Sequence, residues 1–302
     1  MEYRVLGRSG LTVSDIGFGS LEIGRPWGIK GPDDPGLPPP LEDVDRLLRA
    51  ALDLGINFID TAAAYEDSER RIGLTIPDRR GDFILATKFG ERFTTAEGSH
   101  YDFSAPAAER FLENSLRLLK TDYVDLWQIH CGANDTQTVT SAETQDAMLK
   151  AKASGKVRFL GVSPGSVEAA LATIDAGIYD TLQLTYNVFD RTMEPEVLPR
   201  AKAAGVGVIV KWPLGGGALT SKYQRLNAEE DRRRAGAERL KAVAERHGLT
   251  LPDLALRFLL SNDAVSTIIA GTRRVEHLRA NAANTGYTLS PELLDEISAA
   301  VA

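Results

Sequence analysis

FILATK (83–88), APAAERFLENSLRLLK (105–120) and VDLWQIH (124–130) are the three stretches whose reading decides the fold. The first and third are short apolar runs of strand length. The middle one puts Phe111, Leu112, Leu116 and Leu119 on one face at helical spacing. A strand, an amphipathic helix and a strand in series make a βαβ unit with parallel strands.

The same alternation runs outward in both directions. Strand-like runs lie upstream at IGFG (16–19) and NFID (57–60), and downstream at FLGVS (159–163), TLQLTYN (181–187), GVIVKW (207–212) and STIIAG (266–271). Helical patterns separate them. In LEDVDRLLRAALDLG, for example, Val44, Leu47, Leu48, Ala51 and Leu52 share a face before Gly55 ends the helix. Eight such units predict an α/β fold, a (β/α)8 TIM barrel forming one domain over residues 1–302. The opening YRVLGRSGLTVSD reads as an N-terminal β-hairpin that would plug the barrel's bottom. Long βα loops follow the first strand (24–40) and the third (89–105). Extra helices are expected after strand 7 (218–248) and at the C-terminus, SPELLDEISAAVA.

Composition narrows the partners. The chain has 302 residues, with 43% hydrophobic and 25% charged, ordinary for a globular protein with a sizeable core. A net charge of −7 argues against nucleic acid or an anionic membrane, both of which need a basic face. No apolar run nears the roughly 20 residues that span a bilayer, and the start MEYRVLGRSG lacks the apolar core of a signal peptide. The expected location is cytoplasmic. The single cysteine, Cys131, excludes an internal disulfide and a Cys-rich zinc site. The four histidines (His100, His130, His247 and His277) lack metal-ligand spacing, so no metal is expected.

Barrel enzymes carry their chemistry at the carboxyl ends of the strands. Asp60, Lys88 and His130 all end strands, and Tyr65 follows Asp60 by five residues. Alternation sets Asp60 with Phe58, Lys88 with Ile84 and Ala86, and His130 with Leu126 and Gln128, pointing into one mouth. An aspartate, a lysine and a histidine buried together need one another or a substrate. The set suits proton donation. A tyrosine of ordinary pKa near 10 is a weak acid, an adjacent ammonium should lower that value, and Asp60 would hold the ammonium charged. His130 could hydrogen-bond a carbonyl oxygen that Tyr65 protonates as hydride reaches the carbon.

Other motifs fail on chemistry. Gly161-Val162-Ser163-Pro164-Gly165 matches the nucleophile elbow of serine hydrolases, but Pro164 lacks the N–H its oxyanion hole needs. Gly215-Gly216-Gly217 lacks the ending of a phosphate loop, and Gly17-Phe18-Gly19-Ser20-Leu21-Glu22 lacks the third glycine of a dinucleotide fingerprint.

GINFIDTAAAYEDSE, FILATKFG, YVDLWQIH, GVS, PLGGGALTSKY and AGTRRVEHLRAN, in that order and spacing, resemble the aldo-keto reductase superfamily from the hairpin to about Asn281. The resemblance implies a barrel that binds a nicotinamide dinucleotide without a Rossmann motif and a tetrad of Asp60, Tyr65, Lys88 and His130, with Tyr65 as general acid. It implies Gly19 and Ser20 beside the nicotinamide ribose, and Ser163 and Gln183 on the carboxamide. Pro164 stands where the family usually has asparagine, which removes one carboxamide contact. Leu214 and Gly215 match the pyrophosphate loop. The family's ring-stacking aromatic aligns with Lys211, with Trp212 next to it; alternation lets only one of them face the nicotinamide. Thr272, Arg273, His277 and Asn281 match the adenosine site, and Arg273 with Arg274 suits a 2′-phosphate. The expected cofactor is NADP(H), with NAD(H) the alternative.

Trp27, Phe89 and Phe93 are the candidate apolar walls of a fairly open pocket for a small polar aldehyde, ketone or sugar. The sequence does not set an oligomeric state. A second reading comes from similar proteins that serve as cofactor-binding regulatory subunits of potassium channels; the hairpin's beginning at once counts against it.

Overall fold

Twelve strands and their connecting helices define the architecture in a computed structural model, which describes residues 1–26, 28–29, 37–227 and 230–301. The first two strands, β1 (Tyr3–Val5) and β2 (Thr12–Ser14), pair antiparallel. Eight strands close a parallel barrel in the order β3 (Ile16–Gly19), β4 (Phe58–Asp60), β5 (Ile84–Phe89), β8 (Val124–His130), β9 (Val157–Ser163), β10 (Thr181–Thr185), β11 (Gly207–Lys211) and β12 (Val265–Gly271). The remaining pair, β6 (Glu91–Thr94) and β7 (Gly98–Tyr101), forms an antiparallel hairpin beyond β5. This is the (β/α)8 fold expected from the sequence.

Side-chain alternation divides the barrel into an inner and an outer core. Phe58, Ala86, Leu126, Ile209 and Ile269 point inward and pack with Leu6 and Val13 of the first hairpin, which thereby seals the bottom. The fit is close. Gly7 has φ +50°, and a Cβ there would lie 2.2 Å from the Gly207 nitrogen, so only glycine lets the plug approach the strand. The outward residues pack under the helices, as Leu182, Val208 and Val210 do against Leu254 and Phe258. The extra helices are at Asp231–Arg246, after β11, and at Pro291–Val301.

Some elements differ from the sequence reading, the short helices Leu21–Gly24 and Asp135–Thr140 among them. The segment 89–105 is not an extended loop but carries the β6–β7 hairpin; its strands are polar on both faces and give no apolar alternation to read. A helix at Ser68–Thr75 also escapes the pattern, because its buried face is Ser68, Glu69, Ile72, Gly73 and Thr75, with one large apolar residue.

Candidate active site

The register of the inner core places the polar residues. Ala86 pairs with Leu126 and, one pleat further up, Lys88 pairs with Gln128. Asp60 pairs with Gly19 on one side and Ala86 on the other, and His130 pairs with Ser163. The inward positions thus change from apolar to polar over two residues of strand, and the chemistry collects at the carboxyl rim.

Lys88 organises the rim. Its Nζ lies 2.6 Å from Asp60 Oδ2, 2.8 Å from the Thr61 carbonyl oxygen and 3.2 Å from the Tyr65 hydroxyl. Three ammonium hydrogens therefore meet three oxygens. With Lys88 and Asp60 each only 1% exposed, that saturation is what makes the buried pair tolerable. Burial works against the Lys88 charge, but Asp60 and Tyr65 outweigh it and hold the ammonium above its ordinary pKa. Gln128 Nε2, 3.4 Å from Asp60 Oδ1, steadies the other carboxylate oxygen.

Tyr65 departs from the expectation of a net-acidified phenol. Burial pushes its pKa up, and Lys88 recovers only part of that rise. The resting hydroxyl keeps its proton. The His130 ring lies edge-on to Tyr65, with centroids 6.0 Å apart. His130 Nδ1 lies 2.8 Å from Glu91 Oε2 of β6, a close contact that falls short of a straight hydrogen bond. Burial lowers the His130 pKa and Lys88 adds to the fall, while Glu91 opposes both.

On the far side of the mouth, Lys211 Nζ donates to Ser163 Oγ at 2.8 Å. Ile209 points inward, so Lys211 does too; Trp212 turns out and is 45% exposed. Burial, with Lys88 nearby, pushes the Lys211 pKa down to about 8. Gln183 pairs with inward Ile209 and is fully buried, yet among the described residues neither of its amide atoms finds a hydrogen-bond partner. A buried carboxamide without partners suits a ligand that brings its own donor and acceptor.

The other sequence-predicted residues divide. Leu214 and Gly215 sit in the turn after β11, with Gly215 at φ +58° and its carbonyl accepting from Arg233 at 2.7 Å. Thr272 Oγ1 accepts from the Arg274 backbone at 3.2 Å, and Arg273 Nη1 donates to the Leu37 carbonyl at 3.3 Å. His277 is exposed and Asn281 buried, both on the helix Val275–Ala282. Gly19 ends β3 at the rim, and the Ser20 hydroxyl is buried and accepts from Ser68 Oγ at 2.7 Å. Phe89 is a correction. Its neighbour Lys88 faces in, so Phe89 faces out, fully buried and stacked on Trp127 at 4.1 Å; it is not a pocket wall. Phe93 remains on the hairpin with the Arg25 guanidinium 3.6 Å over its ring. Trp27 lies outside the described residues. Glu91 was missed because nothing local marks it: only the hairpin brings it to His130.

The family profile described as "Aldo/keto reductase family" matches residues 15–302. The chain belongs to the aldo/keto reductase family. It is 30% identical to L-galactose dehydrogenase of Arabidopsis thaliana, over 99% of this chain and 94% of that one. It is also 30% identical to the Oryza sativa subsp. japonica protein named "Probable voltage-gated potassium channel subunit beta", over 100% and 97%. Among solved structures, aldo-keto reductase AKR11C1 from Bacillus halodurans in its holo form matches with a TM-score of 0.84 at 30% identity, covering 100% of this chain and 97% of that one. This aldo/keto reductase is accordingly an NAD(P)H-dependent oxidoreductase for small carbonyl compounds. Among the described residues, no helix is long and apolar enough to cross a membrane.

Proposed function

We propose that the chain, acting as one barrel domain over residues 1–302, is an NADP(H)-dependent reductase and dehydrogenase for a small polar aldehyde, ketone or sugar. The observation that carries this reading is Lys88 held between Asp60 and the Tyr65 hydroxyl. The bound nicotinamide supplies or accepts a hydride. Tyr65 gives its proton to the carbonyl oxygen during reduction, and Lys88 stabilises the phenolate left behind. The sugar preference draws on the likeness to L-galactose dehydrogenase.

The residues fit a nicotinamide dinucleotide. Gln183 and Ser163 would hold the carboxamide, and Lys211, the inward member of its pair, would lie beside the ring. Leu214 and Gly215 would meet the pyrophosphate, with Thr272, Arg273, His277 and Asn281 around the adenosine. Arg273 and Arg274 favour a 2′-phosphate, because a guanidinium forks two phosphate oxygens. Fluorescence titration with NADPH and NADH, then an aldehyde and sugar screen in both directions, tests the reading; tighter NADPH and steady turnover support it. The likeness to the channel subunit supports a second reading, regulation by bound cofactor, which requires cofactor binding without steady turnover.

A further inference from the structure

The β6–β7 hairpin is tied down at both ends of its reach. At its tip, Thr95 donates to Glu66 Oε1 through its backbone N–H at 3.1 Å and its hydroxyl at 2.8 Å, directly beside Tyr65. Nearer β5, Glu91 is buried, with Oε1 accepting from Ser99 Oγ at 2.5 Å and Oε2 lying 2.8 Å from His130 Nδ1. A carboxylate oxygen and a ring lone pair repel at that distance, so one of the two atoms must carry hydrogen. Burial favours the protonated carboxyl and His130 opposes it, while Ser99, donating to Oε1, and the charge of Arg25 favour the carboxylate independently of the histidine. A carboxylate at that distance calls for the hydrogen on Nδ1.

This has a consequence for the reaction, and it rests on the carbonyl-reduction reading above. We propose that Glu91 is a positioning residue: it commits one proton to His130 Nδ1, so Nε2 can donate to a substrate carbonyl oxygen only when the ring carries a second proton. A neutral ring with hydrogen on Nδ1 turns a lone pair toward the mouth, and a carbonyl oxygen has only lone pairs to offer in return. The imidazolium has hydrogen on both nitrogens, with Glu91 as its counter-charge. In the reducing step His130 then donates a hydrogen bond without losing its proton. The C=O π pair moves to oxygen, the Tyr65 O–H bond breaks to form the product O–H, and hydride from the reduced nicotinamide dinucleotide forms the new C–H bond.

The reaction is therefore favoured by acid. The groups that face His130 set how far. Burial, Lys88 from β5 and Lys211 from β11 disfavour the second proton, Glu91 from β6 favours it, and the Tyr65 ring lies against the histidine. The charge of Arg25 favours the Glu91 carboxylate.

Histidine side-chain nitrogen resonances of the cofactor-free protein test the tautomer without any turnover. His100→Gln, His247→Gln and His277→Gln, made singly, each remove one signal and leave His130 identified. At a pH where His130 is neutral, the expected hydrogen is on Nδ1; hydrogen on Nε2 overturns the proposal. Glu91→Leu should move it to Nε2. If that variant does not fold, the unaltered protein's spectrum still decides. For a carbonyl substrate, kcat/KM should fall about tenfold per pH unit above the His130 titration, and the fall should flatten in Glu91→Leu. An unchanged slope would overturn the positioning role. Absence of turnover with every carbonyl would sink the redox reading while leaving the tautomer result standing.

Discussion

The two sides of the barrel mouth spend their polar groups differently. On the side of β4 and β5, Lys88 has three oxygen partners, among them Asp60 and Tyr65. On the side of β9 to β11, among the described residues, Gln183 has no partner for either amide atom, and Lys211 has one, Ser163. The first side is complete without a ligand, as a site that moves protons should be, because reorganisation at the moment of reaction costs rate. The second is incomplete, as a binding surface should be, because a group already satisfied gains little from a ligand.

The most severe test of this contrast falls on the complete side. Tyr65→Phe keeps the ring and removes the hydroxyl, so carbonyl turnover should fall by at least about a hundredfold, the scale of lost acid catalysis. Cofactor affinity, measured by fluorescence titration, should barely change. If affinity collapses with turnover, the two sides are not separable.

On the incomplete side, Gln183→Leu should weaken cofactor roughly tenfold by removing hydrogen bonds made only to ligand. The cofactor-free protein should gain about 1 kcal/mol in denaturant unfolding, because a buried amide without partners costs that order. Replacing Arg273 and Arg274 together with Ala should weaken NADPH by up to about tenfold and NADH hardly at all. Equal weakening would mean no 2′-phosphate contact.

Lys211→Met tests the same side through stability rather than through turnover or affinity. Its folded pKa of about 8 lies below the ordinary lysine value of 10.5. The charged form is therefore disfavoured in the fold, and the stability associated with this group is lost as pH falls from the unfolded value through the folded one. The variant should be more stable than the parent at pH 7 by about 3 kcal/mol, with the gain shrinking above the folded value of about 8 and vanishing above roughly pH 10.5. A gain that is constant with pH would mean the ammonium is not the cause.

The same contrast explains what could be read in the sequence. The inward faces are legible from alternation, which sets Asp60, Lys88 and His130, and β8 is bounded at Val124–His130 as its pattern indicates; β5 instead runs one residue past Lys88, to Phe89, and β10 stops at Thr185 rather than Asn187. Alternation alone does not choose between Lys211 and Trp212; the inward packing of Ile209 does, and it turns Lys211 inward. Phe89 was misplaced as a pocket wall although the alternation that turns Lys88 inward also turns Phe89 outward. Glu91 was illegible, since its role comes from a polar hairpin whose pairing, Glu91 with Tyr101 and Thr94 with Gly98, leaves no apolar signature. The sign of the Tyr65 shift was illegible too: the ammonium is in the sequence pattern, but the burial that outweighs it is a property of the folded mouth.

The most direct test of the account follows the hydride. The protein is incubated with NADPH deuterated at C4 of the nicotinamide and a panel of small aldehydes and sugars, and the products are read by mass spectrometry. The account predicts deuterium on the carbon that bears the new hydroxyl, at a rate cut at least about a hundredfold by Tyr65→Phe. Tight NADPH binding with no deuterium in any product, or equal transfer by the Tyr65→Phe protein, would contradict it.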